Sequence, residues 1–78
     1  MRIKYFATLR DLSGVDEEDL TVNDETSIEH IFEELKTRHP DIRNQKNVLF
    51  ALNEKFADSR SVVRNNDVLA LFPPVSGG

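Results

Sequence analysis

The residues best suited to chemistry stand at the very end of this sequence, Phe72-Pro73-Pro74-Val75-Ser76-Gly77-Gly78. Consecutive prolines donate no backbone hydrogen bond and favour an extended backbone, so a strand reaching Phe72 should stop there. Residues 73–78 are then expected to project as an extended, flexible tail, a stiff stem with a mobile tip. Gly77 and Gly78 carry no side chains, so such a backbone passes through a channel too narrow for other residues. Read as a free terminus, Gly78 offers its carboxyl group to another protein's active site. Taken alone, a Gly-Gly end is more plainly a frayed terminus, so the tail acquires meaning only from the fold that carries it.

Other reactive groups are sparse. There are no cysteines, which removes disulfides, thiolate metal sites and cysteine nucleophiles. His30 falls among helix surface positions and His39 sits at a helix end before Pro40. With no clustered carboxylates at a recognisable metal spacing, both read as surface or capping residues, and no metal is expected. Ser13-Gly14 and Ser76-Gly77 lack the flanking pattern of a nucleophile elbow. No Gly-rich loop ends in Lys-Ser or Lys-Thr, so no cofactor is expected to bind the chain itself, and ATP belongs to a partner.

Composition bounds the rest. The 78 residues fit one domain, residues 1–78. A domain this short buries only about 60% of the surface its unfolded chain exposes, and a deep substrate pocket would consume much of so small a core. The size favours a module that presents a surface or a tail over a self-contained enzyme. Fourteen Asp and Glu against ten Lys and Arg leave a formal charge of −4 with the signs interspersed. Phosphate-backbone binding needs a concentrated basic face, so nucleic acid is not an expected partner. The acidic run Asp16-Glu17-Glu18-Asp19 reads as a solvated turn before a strand. No signal-like apolar stretch or membrane span is visible, and a cytoplasmic location is the default expectation.

The elements that must position the tail follow from periodicity. Ile3, Tyr5 and Ala7 alternate with Arg2, Lys4 and Phe6, predicting a strand over residues 2–7. A loop around residues 13–16 would lead into a second strand at Leu20-Thr21-Val22, making a hairpin. Ile28, Ile31, Phe32 and Leu35 fall on one face of a helix beginning near Ser27. Thr26 with Glu29 has the form of a capping box, Ser27 is an alternative cap, and Glu34 with Arg38 would pair one turn apart. Pro40 ends the helix at His39. Residues 41–47 read as a connection, residues 48–52 as a strand, Asn53-Glu54-Lys55 as a turn and Phe56-Ala57 as a short strand. Val62-Val63 precedes a reversal at Asn65-Asn66-Asp67, where Asn tolerates left-handed angles. Residues 68–72 are the last strand. The order is an α+β pattern compatible with a β-grasp: a mixed sheet of four or five strands packed on one main helix.

In that arrangement Phe6 is out of phase with Ile3 and Tyr5, and Phe72 with Leu69 and Leu71. Both should leave the helix-covered face, with Phe56 less determined. The rings either cover the ends of a small core or form an exposed apolar patch, and such a patch marks a protein interface.

The ending Asp67-Val68-Leu69-Ala70-Leu71-Phe72-Pro73-Pro74-Val75-Ser76-Gly77-Gly78, the opening Tyr5-Phe6-Ala7-Thr8-Leu9-Arg10-Asp11-Leu12-Ser13-Gly14 and the stretch Phe50-Ala51-Leu52-Asn53 together resemble the small subunits of molybdopterin synthase. The likeness spans the chain. One departure is Asn65-Asn66, where that family commonly carries Gly, which bears on the turn alone. The resemblance implies a ubiquitin-like β-grasp and a sulfur-carrier role in molybdenum-cofactor biosynthesis. It implies that the Gly78 carboxylate is adenylated with ATP by a ubiquitin-activating-enzyme-like adenylyltransferase. The acyl-adenylate then becomes a thiocarboxylate, and its sulfur passes to a cyclic pyranopterin monophosphate to build the dithiolene. It further implies a large subunit that supplies the catalytic side chains, in a 2+2 heterotetramer. The chain itself would be a non-catalytic, sulfur-donating subunit. Phe6, Phe56 and Phe72 are then the expected partner interface. Two alternatives share the Gly78 activation: a ubiquitin-like modifier of lysines, and a thiamine-pathway sulfur carrier, against which the Pro-Pro-Val stem argues.

Overall fold

The computed structural model describes residues 1–74. Val75, Ser76, Gly77 and Gly78 lie outside the described residues, so the expected tail is seen only at its root, Pro73 and Pro74, which belong to no strand or helix.

The chain runs β1 (Arg2–Tyr5), α1 (Thr8–Ser13), β2 (Glu17–Asp19), β3 (Thr26–Ser27), α2 (Ile28–Arg38), a 3-10 turn (Pro40–Asn44), β4 (Leu49–Leu52), β5 (Lys55–Ala57), β6 (Val62–Val63) and β7 (Val68–Phe72). Five strands form one sheet in the order β2-β1-β7-β4-β5, and β3 pairs with β6 in a separate two-stranded ribbon. Among the described residues only the pair β1·β7 is parallel. The sheet is therefore mixed, with one main helix, as a β-grasp requires. A parallel pairing cannot be closed by a tight hairpin, so the chain must cross over between β1 and β7, and α2 lies on that crossover.

Alternation decides which face is buried. Ile3 and Tyr5 of β1, Phe50 of β4 and Leu69 and Leu71 of β7 point inward and meet Ile28, Ile31 and Leu35 of α2. Ile3, Leu9, Ile28, Leu35, Ile42, Leu69 and Leu71 are wholly enclosed, each contributing about 1.5–3 kcal/mol by burial. The α2 cap is Ser27, whose side-chain oxygen accepts from the His30 N–H at 3.2 Å, and the Thr26–Glu29 capping box is not formed. Arg38 reaches across to Glu18 at 2.9 Å in place of Glu34.

Three further expectations are corrected. The hairpin loop after β1 contains a helix, α1, which ends on Gly14 in the left-handed region at φ 80°, its N–H donating to the Arg10 carbonyl. The second strand is Glu17–Asp19, part of the acidic run, so that run is a ladder strand rather than a turn. Its distance from Leu20-Thr21-Val22 is small, but Leu20 serves as a core residue after the strand. The Asn65-Asn66 reversal uses no positive φ at either residue. Asn65 works through its side-chain oxygen, which accepts from the Met1 ammonium at 3.2 Å and the Val22 N–H at 3.0 Å.

Candidate interaction face and tail root

Residues of the sheet that leave the core collect on the opposite face. One register row crosses it as Lys4, Ala70, Ala51 and Phe56. The next row, toward the tail, holds Phe72, with Phe6 beside it just past the end of β1. Phe72 is the hinge of an aromatic triad: its ring centroid lies 5.8 Å from Phe6, tilted by 52°, and 5.8 Å from Phe56, edge-on at 83°. Such spacings are favourable aromatic pairings.

Local structure holds each ring in place. The Phe6 N–H donates to the Leu71 carbonyl at 3.0 Å, and Ala7 follows at φ 51°, turning the chain away into α1. Phe56 rides on a two-residue hairpin turn, Asn53-Glu54, whose φ angles are 51° and 72°. Positive φ at both central residues matches the twist of paired strands. The turn is tied to the start of β7: Asn53 donates to Asp67 at 3.0 Å and accepts from the Val68 N–H at 2.9 Å. The Asn53 amide and the Arg64 N–H together hold the Asp67 carboxyl below its ordinary range.

Phe6 is 46% and Phe56 77% exposed, and none of the three rings belongs to the hydrophobic core. They do not cover its ends. Together with Lys4, Ala51, Val68 and Ala70 they line a trough of about 570 Å³. Pro73 and Pro74 leave from the Phe72 end, so the tail starts at the rim of this apolar face. Sequence parity put Phe6 and Phe72 on this face, with Ala70 on the side of Phe72, and left Phe56 open. It did not single out Lys4, which shares the phase of Phe6, or Ala51, which stands opposite Ala70.

A ThiS family model matches residues 3–78 of the sequence. The chain belongs to the ThiS family. Over 84 aligned residues this ThiS-family chain is 33% identical to the molybdopterin synthase sulfur carrier subunit of Homo sapiens, covering 100% of the chain and 93% of that relative. Among solved structures it is similar to a Pyrococcus furiosus protein assigned as subunit 1 of molybdopterin converting factor, with 30% identity, a TM-score of 0.85 and 95% of each chain covered. It is also similar to SAMP1 of Haloferax volcanii, at 27% identity and a TM-score of 0.84, covering 99% of this chain and 97% of that one.

This ThiS-family chain holds a second polar cluster, on the core side of β1. The Tyr5 hydroxyl donates to Glu18 at 2.5 Å, the Arg38 guanidinium at 2.9 Å, and the His39 ring nitrogen Nε2 lies 2.7 Å from the same carboxylate. The Tyr5 and His39 rings meet edge-on at 5.7 Å. Burial pushes the Glu18 carboxyl up, but hydrogen bonds from Tyr5, Arg38 and His39 outweigh it and hold the group below its ordinary range. Burial and the same carboxylate push the Tyr5 phenol up. The cluster ties β1 and β2 to the end of α2 and lines none of the trough. His39 caps the end of α2, as expected, its N–H donating to the Leu35 carbonyl at 2.7 Å, and its ring in addition holds Glu18. Among the described residues no group of three His, Asp or Glu side chains is placed to hold a metal ion, and no helix is long and apolar enough to cross a membrane.

Proposed function

We propose that this chain is the sulfur-carrier subunit of a molybdopterin synthase, and that the carboxyl group of Gly78 carries the sulfur. The observation that carries this reading is the full-length likeness to the human sulfur carrier subunit, joined to a sequence ending in Gly77-Gly78. A carboxylate is a poor electrophile because its charge is spread over two oxygens. Attack of that carboxylate on the α-phosphorus of ATP, with loss of pyrophosphate, makes a mixed anhydride whose leaving group is AMP. A sulfur nucleophile then displaces AMP and leaves a thiocarboxylate. The thiocarboxylate donates its sulfur to cyclic pyranopterin monophosphate on the way to the molybdopterin dithiolene.

The chain's own contribution is presentation. Activation and acid–base catalysis belong to an adenylyltransferase resembling ubiquitin-activating enzymes and to the synthase's large subunit, in a 2+2 heterotetramer. Phe6, Phe56 and Phe72 serve as the apolar anchors by which such partners seat the domain, and residues 73–78 deliver Gly78 into the partner's active site. No cofactor is held by the chain, and the reaction is placed in the cytoplasm.

Similarity to SAMP1, one of the small archaeal modifier proteins, favours a second reading, a protein modifier joined through Gly78 to substrate lysines. A thiamine-pathway carrier would share the activation step, but the likeness to molybdopterin synthase subunits argues for the first reading. The deciding experiment is intact mass spectrometry after incubation with ATP, the activating enzyme and a sulfur source. The carrier gains the mass difference between sulfur and oxygen, retained as a free thiocarboxylate and lost on adding large subunit and pterin substrate. Recovery of Gly78 only in bonds to lysine would replace the carrier by the modifier.

A further inference from the structure

Two charged side chains, Lys4 and Glu54, line the trough beside the aromatic face, and among the described residues neither forms an ion pair. Lys4 stands half-buried on β1, pointing outward in register with Ala70 and, beyond it, Ala51. Its cross-strand neighbour on the other side is Glu17, the natural partner for a lysine at this position. That carboxylate is already taken: Arg2 binds Glu17 at 2.8 Å and Asp19 at 3.2 Å. Glu54 lines the same trough, but among the described residues no ion pair joins it to Lys4. Among the described residues Lys4 forms no ion pair; Arg43, Lys46, Lys55 and Arg60 form none either, but those four are exposed whereas Lys4 is half-buried.

We propose that Lys4 selects the partner that covers this face: the partner sets a carboxylate against its ammonium group and an apolar side chain over Ala51 and Ala70. The inference rests on the carrier reading, because it takes that partner to be the synthase's large subunit.

Two features carry it. The first is shape. Ala70 and Ala51 stand side by side between the taller Lys4 and Phe56, so the floor of the trough is low and its rims are high, which accepts an inserted side chain. The second is charge. Apolar contact alone is non-directional, so the three rings grip but discriminate poorly. A partner that seats on them strips water from the neighbouring ammonium group, and a buried charge without a counter-charge is strongly unfavourable. A carboxylate at that point removes the penalty, and a cation or an apolar group does not. Lys4 thereby fixes both the identity and the register of what docks.

The test is titration calorimetry of the large subunit from the same organism with the wild-type chain and with Lys4→Met, Lys4→Arg and Lys4→Glu, at low and high salt. Thermal unfolding of each variant accompanies it. Lys4→Met is expected to bind about tenfold more weakly at low salt and to lose most of the salt dependence, and Lys4→Glu about a hundredfold more weakly. Lys4→Arg should stay close to wild type, and the unfolding temperatures should agree. Wild-type affinity and an unchanged salt slope for Lys4→Met overturn the proposal while leaving the carrier reading intact. Absence of any complex with the wild-type chain overturns that reading and the proposal with it.

Discussion

Phe6 and Phe72 come from opposite ends of the sequence yet lie with ring centroids 5.8 Å apart. The parallel pairing of β1 with β7 brings this about, since Tyr5 stands opposite Leu71 and the Phe6 N–H donates to the Leu71 carbonyl. The last residue of the central strand is therefore braced by the first residue past its neighbour. A partner that grips this pair fixes the point from which Pro73 and Pro74 depart, and so limits where a short tail can reach.

That relationship predicts a separation of binding from stability. Phe72→Asp places a charge in the centre of the triad, and loss of a central aromatic anchor typically costs about 2 kcal/mol or more of binding, roughly thirtyfold in affinity. The ring lies outside the core, so thermal stability should fall by less than binding does. Titration calorimetry beside thermal unfolding distinguishes the two. Unchanged affinity would remove Phe72 from the interface, and a collapse of the fold would return it to a core role.

At the tail, the prediction concerns reach and width. Deleting Gly78, or adding one residue after it, should abolish thiocarboxylate formation while leaving the unfolding transition in place. On the carrier reading Gly77→Val puts a β-branched side chain on a backbone proposed to thread a channel, and should block adenylation with the fold intact. Adenylation is followed by pyrophosphate release with the purified activating enzyme. Normal rates for Gly77→Val would refute the narrow-channel argument.

Much of this was legible in residue order because the face a strand residue takes follows from its parity. The alternation of Ile3 and Tyr5 with Lys4 and Phe6, and of Leu69 and Leu71 with Ala70 and Phe72, placed the aromatic face before any coordinates did. The helix over Ile28–Arg38 likewise follows from four apolar residues on one stripe. What parity misses is the short helix Thr8–Ser13. At six residues it is below the length at which periodicity speaks. Its signals are the spacing of Leu9 and Leu12 and a glycine placed to cap it. The acidic strand was hidden for a different reason. Glu17–Asp19 has poor strand propensity, and it forms because Arg2, Tyr5, Arg38 and His39 stand ready to receive its carboxylates. Those partners come from β1 and the end of α2, and only the tertiary fold brings them together.

The hairpin turn yields a stability prediction. Glu54 sits at φ 72°, a region that costs a residue bearing a Cβ about 1 kcal/mol or more. Glu54→Gly relieves that strain but makes the unfolded chain more flexible, which offsets part of the gain. The net expectation is a stabilisation of about 0.5 kcal/mol, read as a higher urea midpoint at unchanged slope. A lower midpoint would mean that the Glu54 side chain contributes more than its backbone costs.

The carboxylate at the centre of the second cluster predicts how stability responds to acid. Glu18 is 17% exposed and is held below its ordinary range in the folded state, whereas in the unfolded chain it titrates near about 4.3. The unfolded state therefore takes up a proton at a higher pH than the folded state does. The stabilisation from Glu18 is complete above about pH 4.3 and is lost as the pH falls through the folded value. Asp67 is displaced in the same direction and adds to the acid loss. Glu18→Gln keeps the shape but removes the charge that Tyr5, Arg38 and His39 share. At about pH 7 it should be less stable than wild type by about 1–3 kcal/mol, the usual cost of leaving part-buried hydrogen-bonding groups without their charged partner. As the pH drops toward about 3 the wild-type chain loses what the variant never had, so the two stabilities should converge. Urea unfolding of both proteins across that interval measures the gap directly. A gap that stays constant would show that Glu18 is no more acidic in the folded protein than in the unfolded chain.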